Sequence, residues 1–97
     1  MGQPFKASNA KQIIRRILQD GSVVLDNPHL KDEMTKENPP LTAVDIVNVL
    51  RGGACDEAEW ENGEWRHHVR TQRICVVVAI DENERELVVV TAWRMKP

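Results

Sequence analysis

The sequence predicts an α+β fold in which N-terminal helices pack on one face of a four-stranded antiparallel β-sheet. Apolar residues recur with a helical period in the first half of the chain, and from residue 54 onward the period changes to two. Asn62-Gly63 then marks a hairpin, because both residues tolerate the positive φ of a type I′ turn. The 97 residues match the size of one domain, with helices over about 8–53 and the sheet over about 54–95.

The first helix is predicted by an apolar stripe at spacings of three and four residues, formed by Ala10, Ile13, Ile14, Ile17 and Leu18. Ser8 or Asn9 can cap its start, and Gly21 follows its end. Residues 22–25 are expected to form a short extended link.

Two further helices have clear boundary signals. Asn27 can cap the second helix, and Pro28 at its first position loses no needed hydrogen bond. Thr42 and Asp45 form a variant of the capping box at the start of the third helix, which ends at Gly52-Gly53. The side chains expected to point inward are Leu30 and Met34 on the second helix and Ala43, Ile46, Val47 and Leu50 on the third.

A two-residue turn at Asn62-Gly63 sets the register of the first two strands. The expected cross-strand pairs are Trp60 with Trp65, Glu59 with Arg66 and Cys55 with Arg70. On the second strand one face carries Trp65, His67, Val69 and Thr71, and the other carries Glu64, Arg66, His68 and Arg70.

The last two strands, residues 74–80 and 87–93, are apolar on both faces, which is typical of central strands covered on both sides. Residues 81–85 supply the turn between them. Thr91 is expected to share a face with Leu87, Val89 and Trp93. Three short helices can cover one face of such a sheet, so the surplus apolar surface on the other face indicates binding.

The composition argues against several classes of protein. The longest apolar run, residues 75–80, is far shorter than the roughly 20 residues that cross a bilayer. Residues 1–7 contain no apolar leader, and the two cysteines have no metal-like spacing, so we expect a reducing cytoplasm. The net charge of −2 comes mainly from residues 54–63, which carry four acids and no base, whereas strong nucleic-acid binders are usually basic.

Histidine and arginine are the candidates for chemistry, because the chain lacks a Gly-rich phosphate loop, paired cysteine ligands and a zinc-type helix motif. Metal-free RNA cleavage needs a base for the ribose 2′-OH, an acid for the leaving 5′-oxygen and cations for the phosphorane-like charge. His68 lies between Arg66 and Arg70 on one strand face at a spacing of about 7 Å, which resembles a phosphate clamp with a proton-transfer group. His29, at a helix start, is a second candidate for proton transfer.

Each candidate also has an ordinary structural explanation. The alternatives are an exposed strand histidine for His68, partners of the acidic strand for Arg66 and Arg70, a surface residue near a cap for His29, a packed hydroxyl for Thr91 and a solvated cation for Arg94. His67 is expected to pack, and Cys55 and Cys75 to be buried thiols. No metal site is expected, because His67, His68 and a cysteine would have to bind a metal from opposite strand faces. No cofactor is expected either.

Several short motifs occur in order along the chain: Pro28-His29, Leu41-Thr42 with Asp45-Ile46, Leu50-Arg51-Gly52-Gly53, Gly63-Glu64-Trp65-Arg66, and Val88 to Arg94. Over roughly residues 22–95 they resemble a bacterial family of small uncharacterised domains, similar in layout to RelE- and MqsR-like toxins and the wider barnase-like (BECR) ribonuclease group. The chain departs from that pattern at His67, where an aromatic residue often follows the Trp-Arg pair, and it contains no tyrosine.

The resemblance implies helices on one side of a curved antiparallel sheet whose concave face binds RNA or is blocked by an antitoxin. It implies catalysis without a metal. The residues carried over are His29 as the helix-opening histidine, Arg66, His68 and Arg70 on the strand, and Thr91 and Arg94 at the end of the last strand.

Two functions are therefore expected. The first is a metal-independent endoribonuclease of toxin–antitoxin type, with RNA as substrate and a helix-turn-helix antitoxin as partner. Its catalytic residues would be His29, His68, Arg66, Arg70 and Thr91, and its phosphate ligands Arg66, Arg70 and Arg94. The alternative is a non-catalytic interaction module or inactive relative that dimerises or binds a partner through its sheet face, burying Val76, Val78, Val88 or Val90.

Overall fold

A computed structural model describes residues 6–81 and 83–96 of the chain. The helices are α1 (Ala7–Asp20), α2 (Pro28–Lys36) and α3 (Ala43–Gly52). The strands are β1 (Ser22–Val24), β2 (Ala54–Cys55), β3 (Glu59–Glu61), β4 (Glu64–Arg70), β5 (Ile74–Ile80) and β6 (Glu86–Arg94). Residues 1–5, most of the segment predicted to lack a leader, lie outside the described residues, as does position 82 of the predicted turn. None of the described helices is both long and apolar enough to span a membrane.

The predicted caps of α2 and α3 are confirmed. The Asn27 side chain accepts a hydrogen bond from the backbone N–H of His29 at 3.0 Å, and Pro28 takes the first helical position. Thr42 and Asp45 form both hydrogen bonds of the capping box. These side chains satisfy backbone N–H groups that have no partner within the helix.

The start of α1 was predicted wrongly. The helix begins at Ala7 with Lys6 as its N-cap and no side-chain cap, so Ser8 and Asn9 lie inside its first turn. Its end is as predicted, since the Gly21 N–H donates to the carbonyl of Ile17.

The buried face of α3 also differs in part from the prediction. Ile46, Val49 and Leu50 are buried, whereas Ala43 is exposed and Val47 is half-buried. The buried residues lie three and four positions apart, which turns one narrow stripe of this short helix to the core.

The sheet has six strands and is mixed, which corrects the prediction of four antiparallel strands. The strand order is β1-β6-β5-β4-β2. β3 also pairs with β4, along a different part of β4 from β2. β4, β5 and β6 form the predicted antiparallel meander, but β1 pairs in parallel with β6. The expected link at residues 22–25 becomes a strand because the N–H of Ser22 donates to the Arg85 carbonyl at 3.0 Å, directly after Gly21 ends α1.

The predicted hairpin is confirmed at its turn. Asn62 and Gly63 have φ values of 49° and 81°, which the type I′ turn requires. Trp60 faces Trp65 with ring centroids 5.2 Å apart and planes at 72°, an edge-to-face contact.

The strand before that turn is broken into β2 and β3. Ala54 pairs with Arg70, although the hairpin register predicts Cys55 in that place. One more residue lies between β2 and β3 than in the facing stretch of β4. Asp56 occupies this irregular segment, where its carboxylate accepts two hydrogen bonds from the Arg70 guanidinium at 2.9 and 3.1 Å.

A bulge in β6 changes which residues share a face. Thr91 pairs with Val77 and Val89 pairs with Val78, so Val90 is one extra residue on β6. An extra residue reverses the alternation of faces along a strand. The prediction that Thr91 shares a face with Val89 is therefore wrong.

The strands present a helix face and an open face. The helix face consists of His67, Val69, Ile74, Val76, Val78, Ile80, Leu87, Val89 and Ala92, all buried. Its apolar members form one core with residues of all three helices, among them Ile14, Leu30 and Leu50. The open face consists of Arg66, His68, Arg70, Cys75, Val77, Ala79, Val88, Thr91 and Trp93.

This division decides which apolar strand residues can meet a partner. Every residue of β5 is buried, as predicted for a central strand, whereas Val88 on β6 is exposed. Val76 and Val78 belong to the core. The expectation that they lie in a dimer interface is therefore wrong.

Candidate functional site

Two aromatic rings meet over the middle of the open face. His68 on β4 and Trp93 on β6 have ring centroids 6.3 Å apart at 81°, although β5 runs between their strands. Adjacent strands are about 4.8 Å apart, so the two backbones are separated by about 10 Å and both rings must lean inward over β5. In the same rows Cys75 faces Trp93 and Val77 faces His68, and both are buried. The two rings therefore cover the small side chains of the central strand.

Carboxylates hold the predicted cation Arg66 in place. Its guanidinium donates to Glu61 and to Glu64, each at 3.1 Å, and its side chain is 15% exposed. The register prediction placed Glu59 opposite Arg66, and that pairing is confirmed. The ion pairs nevertheless form with Glu61, a diagonal neighbour on β3, and with Glu64, two residues earlier on β4, because a long guanidinium reaches beyond the facing residue.

Glu59 lies instead beside His68. The Glu59 Oε2 atom is 3.4 Å from the His68 Nε2 atom. That nitrogen is buried and forms no hydrogen bond with any of the described residues. An imidazole and a carboxylate at this distance can exchange a proton with a ligand or bind a cation together.

Arg70 is also paired. It forms a two-pronged contact with Asp56, the geometry in which a guanidinium binds a carboxylate most strongly. The hydrogen bonds from Arg70 hold the pKa of Asp56 below its usual value and raise that of Arg70. Arg66 and Arg70 thus already bind carboxylates, which is the alternative that the sequence left open for them.

The predicted residues His29 and Arg94 lie away from the open face. His29 opens α2, whose buried residue Leu30 belongs to the core on the helix face. The Arg94 side chain donates to the carbonyl of Pro39 at 2.8 Å, and its backbone N–H donates to Glu37. The fold therefore gathers Arg66, His68, Arg70 and Thr91 on one face but leaves His29 and Arg94 outside it.

His67 is buried in the helix face, as expected for a packing residue. Burial, together with the neighbouring charge of His68, holds the pKa of His67 below its ordinary value. Burial therefore favours the neutral form of this imidazole in the folded chain. His67 and His68 lie on opposite faces, as predicted.

An apolar strip runs along β6 and includes Met95, the residue that follows this strand. Val88, Trp93 and Met95 are 38%, 36% and 37% exposed, and Val90 and Thr91 between them are half-buried. We call these five residues the β6 strip. Other exposed apolar side chains, Val44 on α3 and Trp60 on β3, lie on different elements.

The sequence reasoning missed three acidic residues of this region, namely Asp56, Glu59 and Glu61. The available signal was the alternation along β3, which puts Glu59 and Glu61 on the face of Arg66 and His68 once the turn register is known. The position of Asp56 had no such signal, because it depends on the break between β2 and β3.

Comparison of the chain with protein-family models, with curated proteins and with solved structures finds no match. The resemblance to RelE- and MqsR-like toxins therefore stays a prediction.

Proposed function

We propose that this protein is a non-catalytic interaction module that forms a homodimer through the open face of its sheet. The observation that carries the proposal is the β6 strip, in which Val88 and Trp93 are exposed apolar side chains on the sheet face opposite the helices. Contiguous exposed apolar surface commonly marks an interaction site, whereas single exposed apolar residues such as Val44 do not.

The chemistry of the strip suits the centre of an interface. Interface centres are depleted in charge and enriched in tryptophan and methionine, and their rims are polar. The strip carries Trp93 and Met95 and no charged side chain. On β4 the flanking charges are already neutralised in pairs, Arg66 with Glu61 and Glu64, and Arg70 with Asp56.

A second copy is the partner that this surface favours. A two-fold dimer places the same patch on both subunits, so its rim must be complementary to itself. Each guanidinium on the β3–β4 side of the face has a carboxylate beside it, so two copies can exchange these ion pairs across a two-fold axis.

Sedimentation equilibrium of the wild type beside Trp93→Ala tests the proposal. A tryptophan at an interface centre contributes about 2 kcal/mol or more, so the variant should dissociate about 30-fold more readily. Trp60→Ala is the matched control, since Trp60 is exposed on another strand, and it should dimerise like the wild type. Circular dichroism checks that both variants fold. A wild type that stays monomeric at its highest soluble concentration would overturn the proposal.

RNA cleavage is the second candidate function, favoured by the Glu59–His68 pair beside Arg66 on one exposed face. In this proposal His68 transfers the proton of the ribose 2′-OH or of the leaving oxygen. Arg66 exchanges its ion pair with Glu61 or Glu64 for an ion pair with the RNA phosphate. Purified wild type should then cut RNA into discrete fragments, and His68→Ala should not, whereas His29→Ala should cut normally because His29 lies outside the face. Intact RNA in the wild-type reaction would rule this function out.

A further inference from the structure

We propose that Glu59, Glu61 and His68 form a binding site for a divalent transition-metal cation. Zn²⁺ is the cation that these donors suit best. The donors lie on β3 and β4, beside the β6 strip and not within it, although the His68 ring contacts Trp93 of the strip. Zinc binding is measured separately from dimerisation, so either proposal can fail without the other. The donor atoms, one from each side chain, all lie within 4.8 Å of one another.

The distance between two of these donors already suits zinc. Zinc binds imidazole nitrogen and carboxylate oxygen at about 2.0–2.2 Å with tetrahedral geometry, which puts neighbouring donor atoms about 3.3–3.5 Å apart. The Nε2 atom of His68 and the Oε2 atom of Glu59 are 3.4 Å apart. The Glu61 side chain is about half exposed, so a change of rotamer brings its oxygen the remaining distance.

The His68 nitrogen is the second indication of a ligand. The atom itself is buried, although the His68 side chain as a whole is 24% exposed, and it lies 3.4 Å from the Glu59 Oε2 atom without a hydrogen bond to any described residue. A buried polar atom normally has a partner, because leaving it without one costs free energy. A cation between Nε2 and the carboxylates would satisfy all three side chains at once.

The hairpin fixes the backbone positions of the three donor residues before any metal binds. Glu59 and Glu61 are alternate residues of β3, so they share one face, and the tight turn at Asn62-Gly63 fixes their register against β4. Trp60, which lies between Glu59 and Glu61, makes an edge-to-face contact with Trp65 across the same hairpin. Such preorganisation lowers the entropy cost of gathering the ligands.

The charges around the site also fit a dication. Two carboxylates and a neutral imidazole carry a charge of about −2, which a Zn²⁺ ion neutralises. Arg66 shares Glu61 with the proposed site but keeps Glu64 when Glu61 turns to the metal. A mixed nitrogen and oxygen set favours zinc over Mg²⁺ and Ca²⁺, which prefer oxygen ligands alone.

Three protein ligands leave the fourth tetrahedral position open to water. A metal on Nε2 would also prevent that nitrogen from transferring a proton. Zinc binding and metal-free RNA cleavage through His68 therefore exclude each other on one molecule, and Zn²⁺ would inhibit any cleavage that depends on His68.

Equilibrium dialysis of the chelator-treated protein against buffered Zn²⁺ tests the site, with bound metal measured by mass spectrometry. The wild type should hold one Zn²⁺ per chain, and His68→Ala and Glu59→Gln should each weaken binding by more than about tenfold. The matched control His29→Ala, which removes an exposed histidine elsewhere, should bind like the wild type.

A second measurement on the wild type guards against variants that fail to fold. In a Zn²⁺ titration followed by NMR, the ring resonances of His68 should shift and saturate at one equivalent while those of His29 stay unchanged. The proposal is overturned if the wild type retains no zinc, if His68→Ala binds as tightly as the wild type, or if the His68 resonances do not move.

Discussion

The buried histidine of the helix face leads to a quantitative prediction about acid stability. His67 is fully buried in the folded chain, and burial and the adjacent His68 keep its pKa below the ordinary 6.5. In the unfolded chain the same imidazole is free to take up a proton near that ordinary value. As the pH falls through 6.5 the unfolded state therefore binds a proton that the folded state does not, and stability decreases.

The size of the effect follows from proton linkage. One proton bound only by the unfolded state lowers the free energy of unfolding by at most about 1.4 kcal/mol per pH unit. Between about pH 7.5 and about pH 5.5 the loss reaches about 1.4 kcal/mol, provided that the folded His67 stays neutral. For a chain of this size that corresponds to a fall in Tm of about 6–11 °C.

Urea unfolding at a series of pH values, for the wild type and His67→Leu, measures this loss. Leucine fills a similar volume in the core but does not titrate. The variant should therefore lack the part of the acid-induced loss of stability that comes from residue 67, whatever its stability at neutral pH. The difference between the two curves removes the contribution of titrating groups that are distant from His67. His29→Ala, which changes an exposed histidine, should follow the wild type. Parallel loss of stability in wild type and His67→Leu would refute the reasoning.

Two further predictions rest on local packing and on thiol chemistry. Gly21→Ala should destabilise the fold by about 1–3 kcal/mol in urea unfolding, because its Cβ would lie 2.2 Å from the Arg85 carbonyl oxygen. Gly52→Ala, where a Cβ meets nothing within 4 Å, should be neutral or stabilise by up to about 1 kcal/mol; equal losses in the two variants would contradict the contact argument. Burial raises the pKa of Cys55 from 9.0 to about 11, so its thiolate fraction near neutral pH is about 100-fold below that of an ordinary cysteine. Iodoacetamide should therefore label the half-buried Cys55 slowly in the folded protein and rapidly in urea, and equal rates would contradict the raised pKa.

Much of the fold could be predicted because its signals are local. The Thr42–Asp45 capping box, the Asn27 cap and the Asn62-Gly63 turn each involve residues within a few positions of one another, and the structure contains all of them. The alternation along β4 likewise separated the buried His67 from His68 on the other face. These features depend on backbone geometry and short-range hydrogen bonds, which the amino-acid types themselves specify.

The candidate site was predictable only in part. The sequence identified Arg66, His68, Arg70 and Thr91, which the open face does bring together. It also grouped Arg94 with them, whose side chain instead binds the carbonyl of Pro39. A pattern of residue types shows which groups can carry charge or protons, but it does not show which carboxylate or carbonyl competes for each cation.

By itself, the sequence determined the α+β class, the caps of α2 and α3, the hairpin and the alternation along β4. Tertiary structure alone decided the parallel pairing of β1 with β6, the bulge at Val90 and the meeting of His68 with Trp93 over β5. The physical reason is separation along the chain. Contacts between distant residues depend on how helices and strands pack together, and one extra residue in a strand is enough to change the face of every side chain that follows.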